Sequence, residues 1–230
     1  GVPLDLTTIP PAGFSGGPSF LVAYALPQDG VVEMVDYNNL GRSAAQPATV
    51  SLSSLAGTLT GTADSYTAVL TAAPFPAGAT LRAVGLQGYF TQLGDDPDPA
   101  VTTDDTGRHT PSVVAAVDGD EARRAVVDSN KCLECHEIIE AHGGNRVNNV
   151  QVCVTCHNPN LSSSGRTADA TQTAQEQKDL IEAAGYDPNN SLTWPEATNN
   201  FKDLIHGIHG AGARTTAKAS VQLVVRPSSR

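Results

Sequence analysis

Residues 131–160 read KCLECHEIIEAHGGNRVNNVQVCVTCHNPN and hold all four cysteines of the 230-residue chain. They fall in two units of one form, Cys132-Leu-Glu-Cys135-His136 and Cys153-Val-Thr-Cys156-His157. Cysteines three apart on one turn present both thiols to the same side. The two vinyl groups on one edge of a porphyrin need that arrangement, and the adjacent histidine then reaches beneath the ring to iron. A second template fits the same spacing. Two Cys-x-x-Cys pairs with 17 residues between them also match a four-cysteine zinc site. Zinc, however, has no use for a histidine after each second cysteine, and it leaves His142, His206 and His209 without a role. A disulfide within each pair would close only a tiny loop. Tandem units therefore favour two haem c groups, with zinc as the competitor.

The remaining histidines extend this reading. With His136 and His157 as proximal ligands, His109, His142, His206 and His209 are left, and neutral imidazole is the natural sixth ligand of iron. His142 follows His136 by six residues. Six residues span roughly 20 Å fully extended, but the path must also round the ring edge. His142 is therefore expected to cap the haem of His157, with Gly143 and Gly144 allowing close backbone approach. His206 and His209 lie three apart on a predicted helix and share a face. One of them is expected to cap the haem of His136. His109, in GRHTPSV after an acidic loop, is the weakest distal candidate.

Composition bounds the partners. The formal net charge is −10 and the sequence pI about 4.9. Nucleic acid and anionic membrane surfaces both require clustered Lys and Arg, so both are excluded as partners. No apolar run approaches the roughly 20 residues needed to cross a bilayer. The chain opens on Gly1 rather than Met, and reads as processed or as starting partway along a precursor.

The organisation is α+β, with two predicted domains. Residues 1–115 read as an all-β sandwich or barrel that serves as a scaffold. FLVAYALPQDGVVEMVDY holds two apolar runs around a turn signal, and SYTAVLTA and ATLRAVGLQGYF follow as further strands. The acidic stretch with Asp95, Asp96, Asp98, Asp104 and Asp105 lacks the ordered spacing of a Ca²⁺ loop and reads as a solvated linker. Residues 116–230 read as a loop-rich, partly helical dihaem module. Helices are predicted before Cys132, over TAQEQKDLIEAAGYD, and over TNNFKDLIHGIHGAG with Thr198 or Asn199 as cap. SVQLVVRP reads as a closing strand stopped by Pro227.

RRAVVDSNKCLECHEIIEAHGGNRVNNVQVCVTCHNPN and FKDLIHGIHGAG resemble the outer-membrane multihaem cytochromes of the OmcA/MtrC decahaem type. GLQGY and RHTPSV do so more loosely. The resemblance implies an exported protein at the outer cell surface or beyond it. It also implies bis-His low-spin haems and electron delivery to redox partner proteins or extracellular acceptors. Members of that family carry many haems in one chain, whereas this sequence has two motifs. That difference leads to the expectation that subunits stack as a homo-oligomer or filament, with a histidine of one copy reaching a haem of the next. The expected function is outer-sphere electron transfer without catalysis. A peroxidase-type dihaem enzyme with one open iron and a zinc-stapled binding module are the alternatives.

Overall fold

Strand β2 (Ser19–Ala25) organises the N-terminal half because it is apolar on both sides. Leu21, Val22, Ala23, Tyr24 and Ala25 are all buried, so both faces of the sheet it enters must be covered. In the computed structural model, residues 5–28, 30–42, 46–62, 65–92, 110–159, 174–189 and 200–210 are described. His109, the Asp95–Asp105 stretch, Thr198, Asn199 and the expected SVQLVVRP strand lie outside them.

Strand β2 pairs antiparallel with β3 (Ala48–Ser51) on one side and β6 (Thr80–Gln87) on the other, and β8 (Val113–Ala116) adds to β6. The resulting sheet is open, in the order β3-β2-β6-β8. Among the described residues no second sheet of that size faces it as a sandwich would require, and the strands do not close into a barrel. Val22 lies on one face with Ala48, Val50, Leu52, Leu55, Leu59 and Ala73, several of them from the 3-10 turn and loops that follow β3. Register places Leu21, Gly85 and Val114 side by side on the other face. A Cβ at Gly85 would meet Leu21 and Val114 at 3.5 Å, so the glycine makes room for both. Two short ribbons complete this half. β1 (Phe14–Gly16) pairs with β7 (Phe90–Gln92), and β4 (Thr60–Thr62) pairs with β5 (Ser65–Thr67).

The expected strand over VVEMVDY does not form. Gln28 and Val31 exchange both backbone hydrogen bonds at the turn, and the pairing ends there. Val31, Val32 and Val35 are left exposed, while Asp36 and Tyr37 turn inward. The physical reason is polar: the buried Asp36 carboxylate accepts from the Arg123 and Arg124 guanidinium groups. The run thus serves to anchor the segment entering the first cysteine unit. SYTAVLTA likewise gives only the three residues of β5 before the chain leaves the ribbon.

Asn38 and Asn39 take over where ladder pairing of β2 becomes irregular. The Asn38 side chain accepts from Leu26 N–H and donates to Leu26 C=O. The Asn39 Oδ1 accepts from Tyr24 N–H at 3.1 Å, and its Nδ2 donates to the Thr155 carbonyl at 3.2 Å. Asn39 is fully buried with φ +42°, a conformation that asparagine tolerates better than most residues. A single side chain therefore fastens the sheet to the second Cys-x-x-Cys-His unit. Replacing it, Asn39→Ala, removes the side-chain acceptor of Tyr24 N–H, leaves the Thr155 carbonyl with only the longer bond from Asn158 Nδ2, and keeps the strained φ, a loss of about 2–4 kcal/mol. Urea denaturation checks this, and an unchanged midpoint would contradict it.

Candidate haem-binding site

Each Cys-x-x-Cys-His unit is one capped helical turn. Helix α1 (Ser129–Leu133) is capped by the Asp128 carboxylate, which accepts from Asn130 N–H. Helix α2 (Val150–Cys153) is capped in the same way by Asn149, which accepts from Gln151 N–H. Both caps sit four residues before the first cysteine of their unit. Winding then continues through the histidine: His136 N–H donates to Cys132 C=O at 2.9 Å, and His157 N–H to Cys153 C=O at 2.8 Å. Each cysteine pair is thereby held on one side of its turn, with the histidine directly after it.

The surroundings of the two units differ. Cys135 is exposed, whereas Cys156 is buried and Cys153 partly so. Burial pushes the Cys153 thiol up to about 11 against the opposing pull of the Arg146 charge, and burial raises Cys156 as well. The second unit is set among buried Val147, Val150, Val152 and Val154, and α2 packs against β6 and β8. Ser112 sews this segment to the sheet. Its N–H donates to Val147 C=O, its Oγ accepts from Val147 N–H, and its C=O accepts from Asn149 Nδ2.

The spare histidines arrive from two elements. Strands β9 (Glu140–Ala141) and β10 (Arg146–Val147) form a hairpin whose tip carries His142. His142, Gly143 and Gly144 all have left-handed φ, of +56°, +68° and +85°. The glycines are thus demanded by the backbone of the tip itself. Asn145 Nδ2 donates to His142 C=O, while Gly88 N–H and Tyr89 Oη reach Asn145 and Gly143 carbonyls from the sheet side. The tip sets the His142 ring 6.1 Å from the His157 ring, centre to centre, with planes inclined by 36°.

Helix α4 (Phe201–His209) brings the other ligand candidates. Its cap is Asn200, one residue beyond the expected position, and accepts from Lys202 N–H. Phe201 N–H donates to the His157 carbonyl at 3.1 Å. From that anchor the helix runs about 12 Å and delivers the His209 ring to 6.0 Å from the His136 ring, with planes at 80°. His209 Nδ1 lies 3.0 Å from the Ile205 carbonyl. A carbonyl only accepts, so Nδ1 carries the proton and Nε2 keeps its lone pair. His206 sits exposed on the same helix, and no ring contact of its own is seen among the described residues. Helix α3 (Gln175–Ala183) brings no histidine and buries only Ile181.

These distances test what the residues can hold. An imidazole nitrogen sits about 2.0–2.1 Å from a bound metal and its ring centre about 1.1 Å further back, so two trans imidazoles put ring centres about 6.3 Å apart. Both histidine pairs match that spacing. The four cysteines, all described, do not converge: among the described residues no three of His, Cys, Asp or Glu are placed to hold one metal ion. The two histidine pairs thus have the spacing that two imidazoles on one iron would take, and among the described residues the cysteines form no four-cysteine cluster.

The family comparison agrees with the geometry. Residues 124–229 match the model of a family described as outer membrane cytochrome MtrC/MtrF-like, domains II/IV. The cysteine–histidine part of this chain is thus similar to that family. No curated protein and no solved structure matches the chain. Members of the MtrC/MtrF family are haem c electron carriers, exported to the outer cell surface, where they act with redox partners or extracellular acceptors. No helix among the described residues is long and apolar enough to cross a membrane.

Several residues at this site escape a reading of sequence alone. Asn39 and Ser112 lie far along the chain from the cysteines and carry no local signal. The paired caps were detectable in principle, because Asp128 and Asn149 stand at the same offset from Cys132 and Cys153. The contrast between the units has a measurable consequence in the haem-free chain. At pH 8 a thiol with a pKa of about 11 has a thiolate fraction about a hundredfold below that of an ordinary cysteine. Iodoacetamide is expected to label Cys135 first and Cys153 last, with the Cys153 rate still rising above pH 10. Equal labelling of both units, followed by peptide mass spectrometry, would contradict the burial assigned to the second one.

Proposed function

We propose that this chain is an electron carrier holding two haem c groups. One is attached through Cys132 and Cys135 with His136 and His209 as axial ligands, the other through Cys153 and Cys156 with His157 and His142. The observation that carries this reading is the pair of histidine–histidine contacts at 6.0 and 6.1 Å, each joining a motif histidine to one from elsewhere. Residues 1–115 act as a scaffold that fixes the second unit, and residues 116–230 carry the cofactors.

When bound, haem c supplies a one-electron iron couple. The protein's part is to hold, shield and orient. Two imidazoles per iron leave no position for a substrate and keep ligation unchanged between redox states, which suits electron transfer rather than catalysis. The valines around α2 keep water from the second unit, whereas the exposed turn at Cys135 and His136 leaves the first open to a partner. Helix α4 touches both, through the His157 carbonyl at one end and the His136 ring at the other. Together with the bonds from Val150 N–H to Ser129 Oγ and from Gln151 Nε2 to the Val127 carbonyl, it holds the separation between the sites. The net charge of −10 favours cationic or metal-centred partners, an attraction that weakens with salt. His206, exposed beside His209, is free to serve a haem of a second copy, which gives a route to a stacked homo-oligomer or filament.

The ligand assignment is tested by substitution. His142→Ala and His209→Ala are each expected to turn one of the two haems high-spin, while His206→Ala leaves an isolated chain low-spin. Unchanged low-spin spectra in the first two variants would sink the assignment. Electron paramagnetic resonance gives a second check. Near-perpendicular imidazoles leave the iron dxz and dyz orbitals nearly degenerate, whereas more parallel ones split them. The His136–His209 haem should therefore give a highly anisotropic low-spin signal and the His142–His157 haem an ordinary rhombic one. Two identical rhombic signals would contradict the observed plane angles.

A further inference from the structure

A partly buried cation stands beside the second cysteine unit, and among the described residues no anion pairs with it. Arg146 lies on β10 opposite Ala141, the residue before His142. Its Nε is buried and has no hydrogen-bond partner. The ion pairs among the described residues join Arg82 to Asp120, Arg123 and Arg124 to Asp36, and Lys131 to Glu134; none includes Arg146. The neighbouring Val147 is fastened to Ser112 and fully buried, and successive strand residues point to opposite faces. Arg146 is thereby held on the other face of β10, and its charge is felt at both Cys153 and Cys156. A guanidinium stays charged at any pH the fold survives, and its planar fork matches a carboxylate bidentately. A buried guanidinium N–H without a partner is rare in folded proteins. At the first unit the cation within the motif turn, Lys131, is exposed and already paired with Glu134.

We propose that Arg146 is a positioning residue for the second haem, where it pairs a propionate carboxylate and raises that haem's reduction potential above its value without the cation. This rests on the haem reading given above. Reduction takes one positive charge from the iron. A fixed cation, or a propionate whose negative charge it neutralises, therefore favours the reduced state.

The test is a spectroelectrochemical titration of the holoprotein, wild type beside Arg146→Gln and Arg146→Lys, with haem per chain measured by intact mass. Arg146→Gln is expected to lower one midpoint potential and leave the other nearly in place, with both haems low-spin, and Arg146→Lys to recover most of the shift. Two bound haems with both midpoints unmoved in Arg146→Gln would overturn the proposal. Equal shifts in the Gln and Lys variants would also overturn it, since charge would then not be the cause. If Arg146→Gln matures without its second haem, Arg146→Lys decides: a retained haem with a near-wild-type midpoint supports the proposal, and a lost one overturns it. Failure of the underlying haem reading is separate, because wild-type protein would then carry no haem by mass.

Discussion

The hydrogen bond from Asn39 Nδ2 to the Thr155 carbonyl, buried between sheet and helical turn, is the constraint on which the site depends. Thr155 stands between Cys153 and Cys156, so the bond fixes the turn that presents both thiols. The same asparagine closes the irregular end of β2 through Tyr24 N–H. The irregular end of β2 and the second cysteine turn are therefore fastened together by one side chain. Ser112 repeats the device where β8 begins, binding Val147 and Asn149 and so locating the foot of the His142 hairpin and the cap of α2. Polar groups buried this deeply stabilise a fold only when every partner is present. That condition ties the β half to the cofactor half more tightly than a linker between independent domains would.

From this fixed second unit the rest of the site is built outward. The hairpin tip brings His142 to His157 because three successive left-handed residues reverse the chain within a few positions. Helix α4 is hung from the His157 carbonyl by Phe201 N–H and reaches back to the first unit with His209. The first unit is tied to the second both by this helix and directly, since Ser129 Oγ accepts from Val150 N–H and the Val127 carbonyl from Gln151 Nε2. The first unit is the more exposed, which suits the proposed exchange of electrons with a partner, and the similarity of residues 124–229 to the outer membrane MtrC/MtrF-like family fits that arrangement.

The sequence made the chemistry more legible than the architecture. Cys-x-x-Cys-His is local: two thiols and an imidazole on one turn need only short-range winding, which a cap four residues upstream provides. Hydrophobic runs located β2 and β6 for the same local reason. VVEMVDY misled because Asp36 is held inward by Arg123 and Arg124, almost ninety residues later in sequence, and that buried pairing outweighs the β-propensity of three valines. Asn39 was invisible on the same ground, since nothing near it in sequence announces a partner at Thr155. The glycines after His142 would give a porphyrin room, yet the backbone of the tip requires them whatever lies beside it.

The measurement that bears most directly on the central claim is the absorption spectrum of purified holoprotein, oxidised and then reduced, with iron counted per chain and carbon monoxide added at the end. The histidine pairing predicts two irons, low-spin c-type bands in both states and no response to carbon monoxide. A carbon monoxide-sensitive band would mean that one iron lacks its second histidine, and one zinc per colourless chain would overturn the account.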